Sequence, residues 1–295
     1  MRLSGMERLG QGIVYLLLFL VFIITFLPFW NILVLSLNDA QDSMRGGVML
    51  WPRSFTVDSY KTVLRNEAIF TAARTTVLRT VIGAPLTVLT MTLLAYGLSK
   101  RSLPGRKPIT LFFILTMYFQ GGLISTYMVI RSLNLLNNFA VLIVPGMVNI
   151  FWMILIRTYM EGLPVELEES AKLDGANDII ILMRVILPLC LPILATVILF
   201  SAIQHWNSWY DSYIYTDKQS LTVLQAELVR ILNQYQTGGM LSEAQQLAQD
   251  SKRIPVSSES IRMAVTMVTT VPIIMIYPLL QRYFIKGIMV GAIKS

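Results

Sequence analysis

The chain has 295 residues, of which 55% are hydrophobic and only 14% are charged, with a net charge of +7 at neutral pH. Soluble domains carry nearer a quarter charged residues, so this composition argues against a large soluble fold. The basic surplus lies beside the ends of apolar blocks and not in a free basic patch, which argues against a nucleic-acid partner.

The apolar blocks are long. A helix needs roughly 20 apolar residues to cross about 30 Å of hydrocarbon, and the alternating segments of about ten residues expected of a β-barrel are missing. The reading is an all-α, polytopic membrane protein with six transmembrane helices in a single transmembrane domain over 1–295. The first span covers about 13–37 behind Arg2 and Arg8 and, with no cleavage site after it, is read as a retained helix. A polar stretch from Asn38 to about Ala68 comes next, with Trp51 and Tyr60 placed for an amphipathic segment at the interface. The second span is about 69–98. The next loop, Ser99 to Lys107, holds four basic residues and no acid, so the positive-inside rule puts it in the cytoplasm. Spans at about 109–130 and 139–159 come after it, joined by an outer turn at Asn134 to Asn138.

An inner polar segment, 161–184, separates the fourth span from the fifth, about 185–206, which opens with Pro188 and Pro192. Cys190, the single cysteine, excludes a disulfide framework and any multi-cysteine metal site, and reads as a small packing residue. An outer loop over 207–260 is too polar to span and permits a partly disordered stretch. The last span, about 261–280, leaves Arg282, Lys286 and Lys294 inside, so both termini are expected in the cytoplasm. No long internal repeat is visible.

The segment 161–184 carries the informative string. Pro164 suits the first position of a helix, and Glu166, Glu168 and Glu169 favour its N-terminal dipole. Glu168 and Lys172 have i,i+4 spacing, Gly175 permits a sharp bend, and Asp174 is placed to cap the next helix. On this grammar alone an ordinary loop with capped helices fits as well. The string Glu169-Ser170-Ala171-Lys172-Leu173-Asp174-Gly175-Ala176, with Pro188 and Pro192 beyond it, closely resembles the EAA loop of ATP-binding-cassette (ABC) importer permeases. It departs from that pattern in Ser170, where alanine is usual, and in Leu182, where an aromatic is usual.

The resemblance extends over nearly the whole chain, to the carbohydrate permeases related to the maltose system. Phe119 to Ile124, His205 to Trp209 and the tail Lys286 to Lys294 look like the branch that handles fragments of pectin-like or alginate-like polymers. It implies a type I importer permease fold in a bacterial cytoplasmic (inner) membrane, transporting oligosaccharides that are acidic in that branch. It further implies that Glu169, Ser170, Ala171, Asp174, Gly175 and Ala176 form a coupling helix seated in a cytoplasmic ATPase, with the tail reaching toward the ATPase dimer. No G-x-x-x-x-G-K-[ST] string occurs, so the chain is not expected to cradle nucleotide phosphates in the usual way; the resemblance implies two partner ATPase subunits that hold ATP and Mg, and no cofactor or catalytic residue in this chain.

Six helices enclose too little for a gated sugar path, so a second permease subunit is expected, and an extracytoplasmic sugar-binding protein is a candidate contact for the outer loop. Polar groups inside spans are costly and face cavities or other helices. Arg79 is therefore either a snorkelling cation or a contact for an acidic sugar. Gln120, Tyr127 and Asn149 are candidates for lining the passage or for packing. His205, Trp206, Asn207 and Trp209 close the fifth span as an aromatic belt or a sugar contact. A lone histidine gives no metal site. The rival mechanism, an ion-coupled secondary transporter of small solutes, calls for buried acids and inverted repeats that the spans lack.

Overall fold

The computed structural model describes residues 5–119, 121–231, 233 and 259–275, with the backbone alone for 5–9 and 44. Among these residues the regular elements are helices, with one isolated antiparallel bridge between Asn38 and Phe55. The chain forms two compact units, residues 1–69 with 228–271 and residues 70–227 with 272–295.

In the first unit, helix α1 (Gly5–Ser36) is apolar from Gly10 onward, and none of its apolar window is buried. At 1.5 Å per residue its length exceeds the hydrocarbon thickness. Phe22, Phe26 and Trp30 stack at i,i+4 spacing with centroids 5.2 and 5.8 Å apart, and Trp51 meets Trp30 edge-on at 5.7 Å. The connection folds back on the helix end through α2 (Ala40–Met44), capped by Asp39, and α3 (Asp58–Arg65). Trp30 donates its indole N–H to the Leu50 carbonyl at 2.8 Å, and the Ser36 and Tyr60 hydroxyls bond at 2.7 Å. The aromatic residues predicted for the interfacial segment are thus anchored to α1. Helix is also present over 259–275, overlapping the predicted last span; 276–280, the tail and 234–258 of the outer loop lie outside the described residues.

The second unit is built around α4 (Glu67–Ser99), α7 (Ile150–Glu161) and a continuous helix over 178–207. That helix comprises α9 (Asp178–Ile181), a widened π turn at Leu182–Ile186 and α10 (Leu187–Asn207). Met91, Ala95 and Leu98 of α4 pack with Met153 and Ile156 of α7 and with Ile181, Cys190 and Val197. Lipid is as apolar as these side chains, so close packing and polar pairs, more than transfer from water, hold such helices together. The π turn sits immediately before Pro188, whose missing N–H leaves a carbonyl of that turn without its usual donor.

Among the described residues three helices are long and apolar enough to cross a membrane, at 10–36, 67–99 and 178–207. The predicted fourth span is a pair, Phe139–Gly146 with Ile150–Glu161, bent by 52° at a break ahead of the Asn149 cap. Pro145 and Gly146 lie at the break, where proline supplies no donor and glycine favours no helix. The predicted third span also differs from one helix. It is α5 (Arg106–Thr116) and α6 (Gly122–Ser132), two 11-residue helices, each about 16 Å long at 1.5 Å per residue. Gly122 has φ +75°, a left-handed conformation that ends regular α-helix.

Candidate functional site

Helix α8 (Glu166–Leu173) opens after Pro164 and closes at Gly175, whose φ of +80° makes the left-handed turn at the bend expected there. The Ala176 N–H bonds the Ala171 carbonyl at 2.9 Å and the Gly175 N–H that of Lys172 at 3.0 Å, a Schellman termination. Asp174 closes α8 instead of capping the next helix. That cap is Asn177, whose side chain accepts from the Ile180 N–H at 2.9 Å. The short helix therefore has two faces. Ala171 and Ala176 pack on the core of the unit, whereas Glu169, Ser170, Lys172 and Asp174 are exposed and Leu173 is 89% exposed.

Glu168 is the polar member of the inward face. Its carboxylate accepts from Lys100 Nζ at 2.6 Å, not from Lys172 as its spacing suggested. The same ammonium lies 3.6 Å from Asp178 and 4.1 Å from the centroid of the Tyr96 ring, and the Tyr96 hydroxyl donates to the Asp178 carbonyl at 3.0 Å. Burial disfavours the Lys100 charge, but Glu168 and Tyr96 outweigh it and raise the pKa above the ordinary lysine value. Beside this cluster Arg106 pairs with Glu161 and donates to the Leu98 carbonyl at 2.8 Å, and Arg157 bonds Glu161 at 2.9 Å.

A second polar seam runs along the other half of α4. Thr75 donates to the Ser220 carbonyl at 2.9 Å, and Thr76 accepts from the Leu224 N–H at 2.7 Å. One turn on, the Arg79 guanidinium, 3% exposed, pairs with Asp211 of α11 (Tyr210–Tyr215) and donates to the Ser208 carbonyl at 3.1 Å. Ser208 also donates its hydroxyl to Asp211 at 3.0 Å. Another turn on, buried His205 lies over Gly83, with Thr87 Oγ1 3.3 Å from its Nε2.

The other predicted lining residues do not gather in one place. Asn149 caps α7 by accepting from the Trp152 N–H at 3.2 Å. Tyr127 is half-buried against Tyr215, with ring centroids 6.1 Å apart. Asn207 is exposed and accepts from Gln225 at 3.4 Å. Trp206 is half-buried. Trp209 forms an exposed cluster with Tyr210 and Tyr213 at 5.9 and 5.7 Å. Gln120 lies outside the described residues.

No family model matches the chain. Among curated proteins it is 33% identical over 289 residues to the polygalacturonan/rhamnogalacturonan transport system permease protein YtcP of Bacillus subtilis (strain 168), covering 98% of this chain and 99% of that one. The chain belongs to the sugar ABC transporter permeases. Among solved structures the permease matches a chain of a bacterial ABC transporter involved in the import of the acidic polysaccharide alginate, with TM-score 0.85, 28% identity and coverage of 96% and 99%. It shares its fold with a chain of the bacterial alginate ABC transporter in complex with an alginate pentasaccharide-bound periplasmic protein, at TM-score 0.56 and 14% identity over 93% of each chain. Its relatives are transport subunits and not enzymes.

Lys100, Asp211 and Thr76 were missed by sequence reasoning. For Asp211 a signal exists, since an arginine inside an apolar span calls for a counter-charge. Nothing local marks Lys100, which lies 68 residues from Glu168. Gly83 also gains a role from the fold of the permease. A Cβ there would lie 2.7 Å from the His205 ring. Gly83→Ala should therefore destabilise by about 1–3 kcal/mol through overpacking. Pairing it with His205→Ala should cost less than the sum of the two single changes, measured by thermal unfolding in detergent.

Proposed function

We propose that this permease is one half of the membrane passage of an ATP-driven oligosaccharide importer in the bacterial cytoplasmic membrane. A second permease subunit supplies the other half, two cytoplasmic ATPase subunits bind ATP and Mg, and an extracytoplasmic binding protein delivers the sugar. The observation that carries this reading is the two-faced α8. Its inner face is fastened to the permease core, while Glu169, Ser170, Lys172 and an 89% exposed Leu173 face outward. Leu173, presented at the end of so charged a helix, is placed to enter a groove in another protein. Movement of the ATPases shifts α8, and the attached helices alternate the passage between its two openings.

Uronate-containing oligosaccharides are the favoured cargo. Support comes from relatives named for polygalacturonan/rhamnogalacturonan and for acidic alginate. Arg79 adds nothing to it, because Asp211 already neutralises the guanidinium. Trp209, Tyr210 and Tyr213 offer ring faces to sugar at the far end of α10.

Extraction in mild detergent should yield a complex with two ATPase chains and a second permease. Its ATP hydrolysis should rise with binding protein loaded from a panel of uronate oligosaccharides, and less with neutral ones. An active, stable permease without any ATPase overturns the reading. Equal stimulation by neutral sugars overturns the cargo assignment alone.

A further inference from the structure

The coupling segment is joined through the chain to α7 on one side and to α10 on the other, but α4 has no such connection to it. We propose that Lys100 is a positioning residue that fastens the bent segment to α4, so that displacement of α8 is delivered to α4 as well as to its covalent neighbours. This inference rests on the ATPase-coupled reading above.

Glu168 belongs to α8 and Asp178 opens α9, on opposite sides of the left-handed Gly175. One ammonium reaches both, at 2.6 and 3.6 Å. It therefore spans the turn, held firmly at Glu168 and more loosely at the Asp178 carboxylate, which is 67% exposed. Tyr96 completes the hold, with its ring under the ammonium and its hydroxyl on the Asp178 carbonyl. The lysine side chain is 17% exposed and that of Glu168 24%, so the pair is screened less than a surface ion pair. Both ends are held by short-range contacts to a long, packed helix whose opposite half bonds 208, 211, 220 and 224 through Arg79, Thr75 and Thr76. A shift of α8 thus has a rigid route to the far end of α4. The apolar seating of Ala171 and Ala176 supplies proximity without direction, whereas a charge-assisted bond to a fixed atom supplies both.

The test uses the assembled transporter in vesicles, with a labelled oligogalacturonate as cargo and ATP hydrolysis measured in the same sample. Wild type must import this probe and co-purify with ATPase; if it does neither, the functional reading fails and not the role of Lys100. Lys100→Met should leave ATPase association and hydrolysis within about two-fold of wild type while sugar imported per ATP falls at least ten-fold. Lys100→Arg, which keeps the pair with Glu168, should remain within about three-fold. Lys100→Met/Glu168→Gln should be no worse than Lys100→Met, because the two act through one contact. An unchanged ratio of sugar to ATP in Lys100→Met overturns the proposal. So does a fall in import that only tracks the amount of assembled complex, or a double variant whose loss is the product of two independent losses.

Discussion

Asp211→Ala should destabilise the permease by about 3–5 kcal/mol, the usual result of removing one partner of a buried ion pair. The loss exceeds the worth of the bond itself, because the change strands the Arg79 guanidinium, 3% exposed, with only the Ser208 carbonyl to accept from it. Arg79→Met should be the milder change. It leaves Asp211, whose side chain is 28% exposed and accepts from the Ser208 hydroxyl, with access to water. Arg79→Met/Asp211→Leu should recover most of the stability, since an apolar pair of similar volume has no charge to desolvate. Thermal unfolding of the purified transporter in detergent checks the order. If Arg79→Met proves the more damaging, the account of which charge is stranded is wrong.

Gly175→Val should reduce uptake to background while membrane insertion remains normal. A Cβ at this position meets nothing within 4 Å in the permease, so crowding inside the chain is not the cause. The cause is the φ of +80°, which a β-branched residue adopts only at a cost of about 1–3 kcal/mol. The turn relaxes instead, the Ala176-to-Ala171 bond is lost, and α8 no longer points where α9 and Lys100 hold it. Gly175→Asn separates conformation from bulk, because asparagine visits the left-handed region more readily. It should retain substantial uptake. Equal loss in both variants would show that size against the ATPase, and not backbone conformation, is what Gly175 provides.

The sequence was most informative where local chemistry dictates structure. The apolar blocks at 13–37, 69–98 and 185–206 were legible because a membrane demands long helices. Gly175 was legible because its bend is written in one residue. The division of 109–130 into two helices was not legible, since Gly121-Gly122 inside an apolar run does not lower its hydropathy enough to announce a break. At 139–159 the 52° bend was not legible either, although the bent pair is together long and apolar enough to be one span. Long-range pairing was hardest to read. Glu168 had a plausible local partner in Lys172, and only the packing of α4 against α8 shows that Lys100 takes its place. Arg79 was recognised as exceptional without its partner, because Asp211 lies 132 residues away in the outer segment.

The widened turn at Leu182–Ile186 bears on how chain length can vary among such proteins. The Leu187 N–H reaches back five residues to Leu182, so this turn takes up one residue more than an α turn does. Deleting one residue there, for instance exposed Met183, turns π geometry into α geometry and leaves Ile181 and Cys190 facing the same neighbours. The same deletion within α10 would rotate everything beyond it by about 100° and unseat one of the two. A one-residue gap falling at 182–186 in a comparison of sequences is therefore structurally silent, whereas a gap a few positions later signals a rebuilt helix.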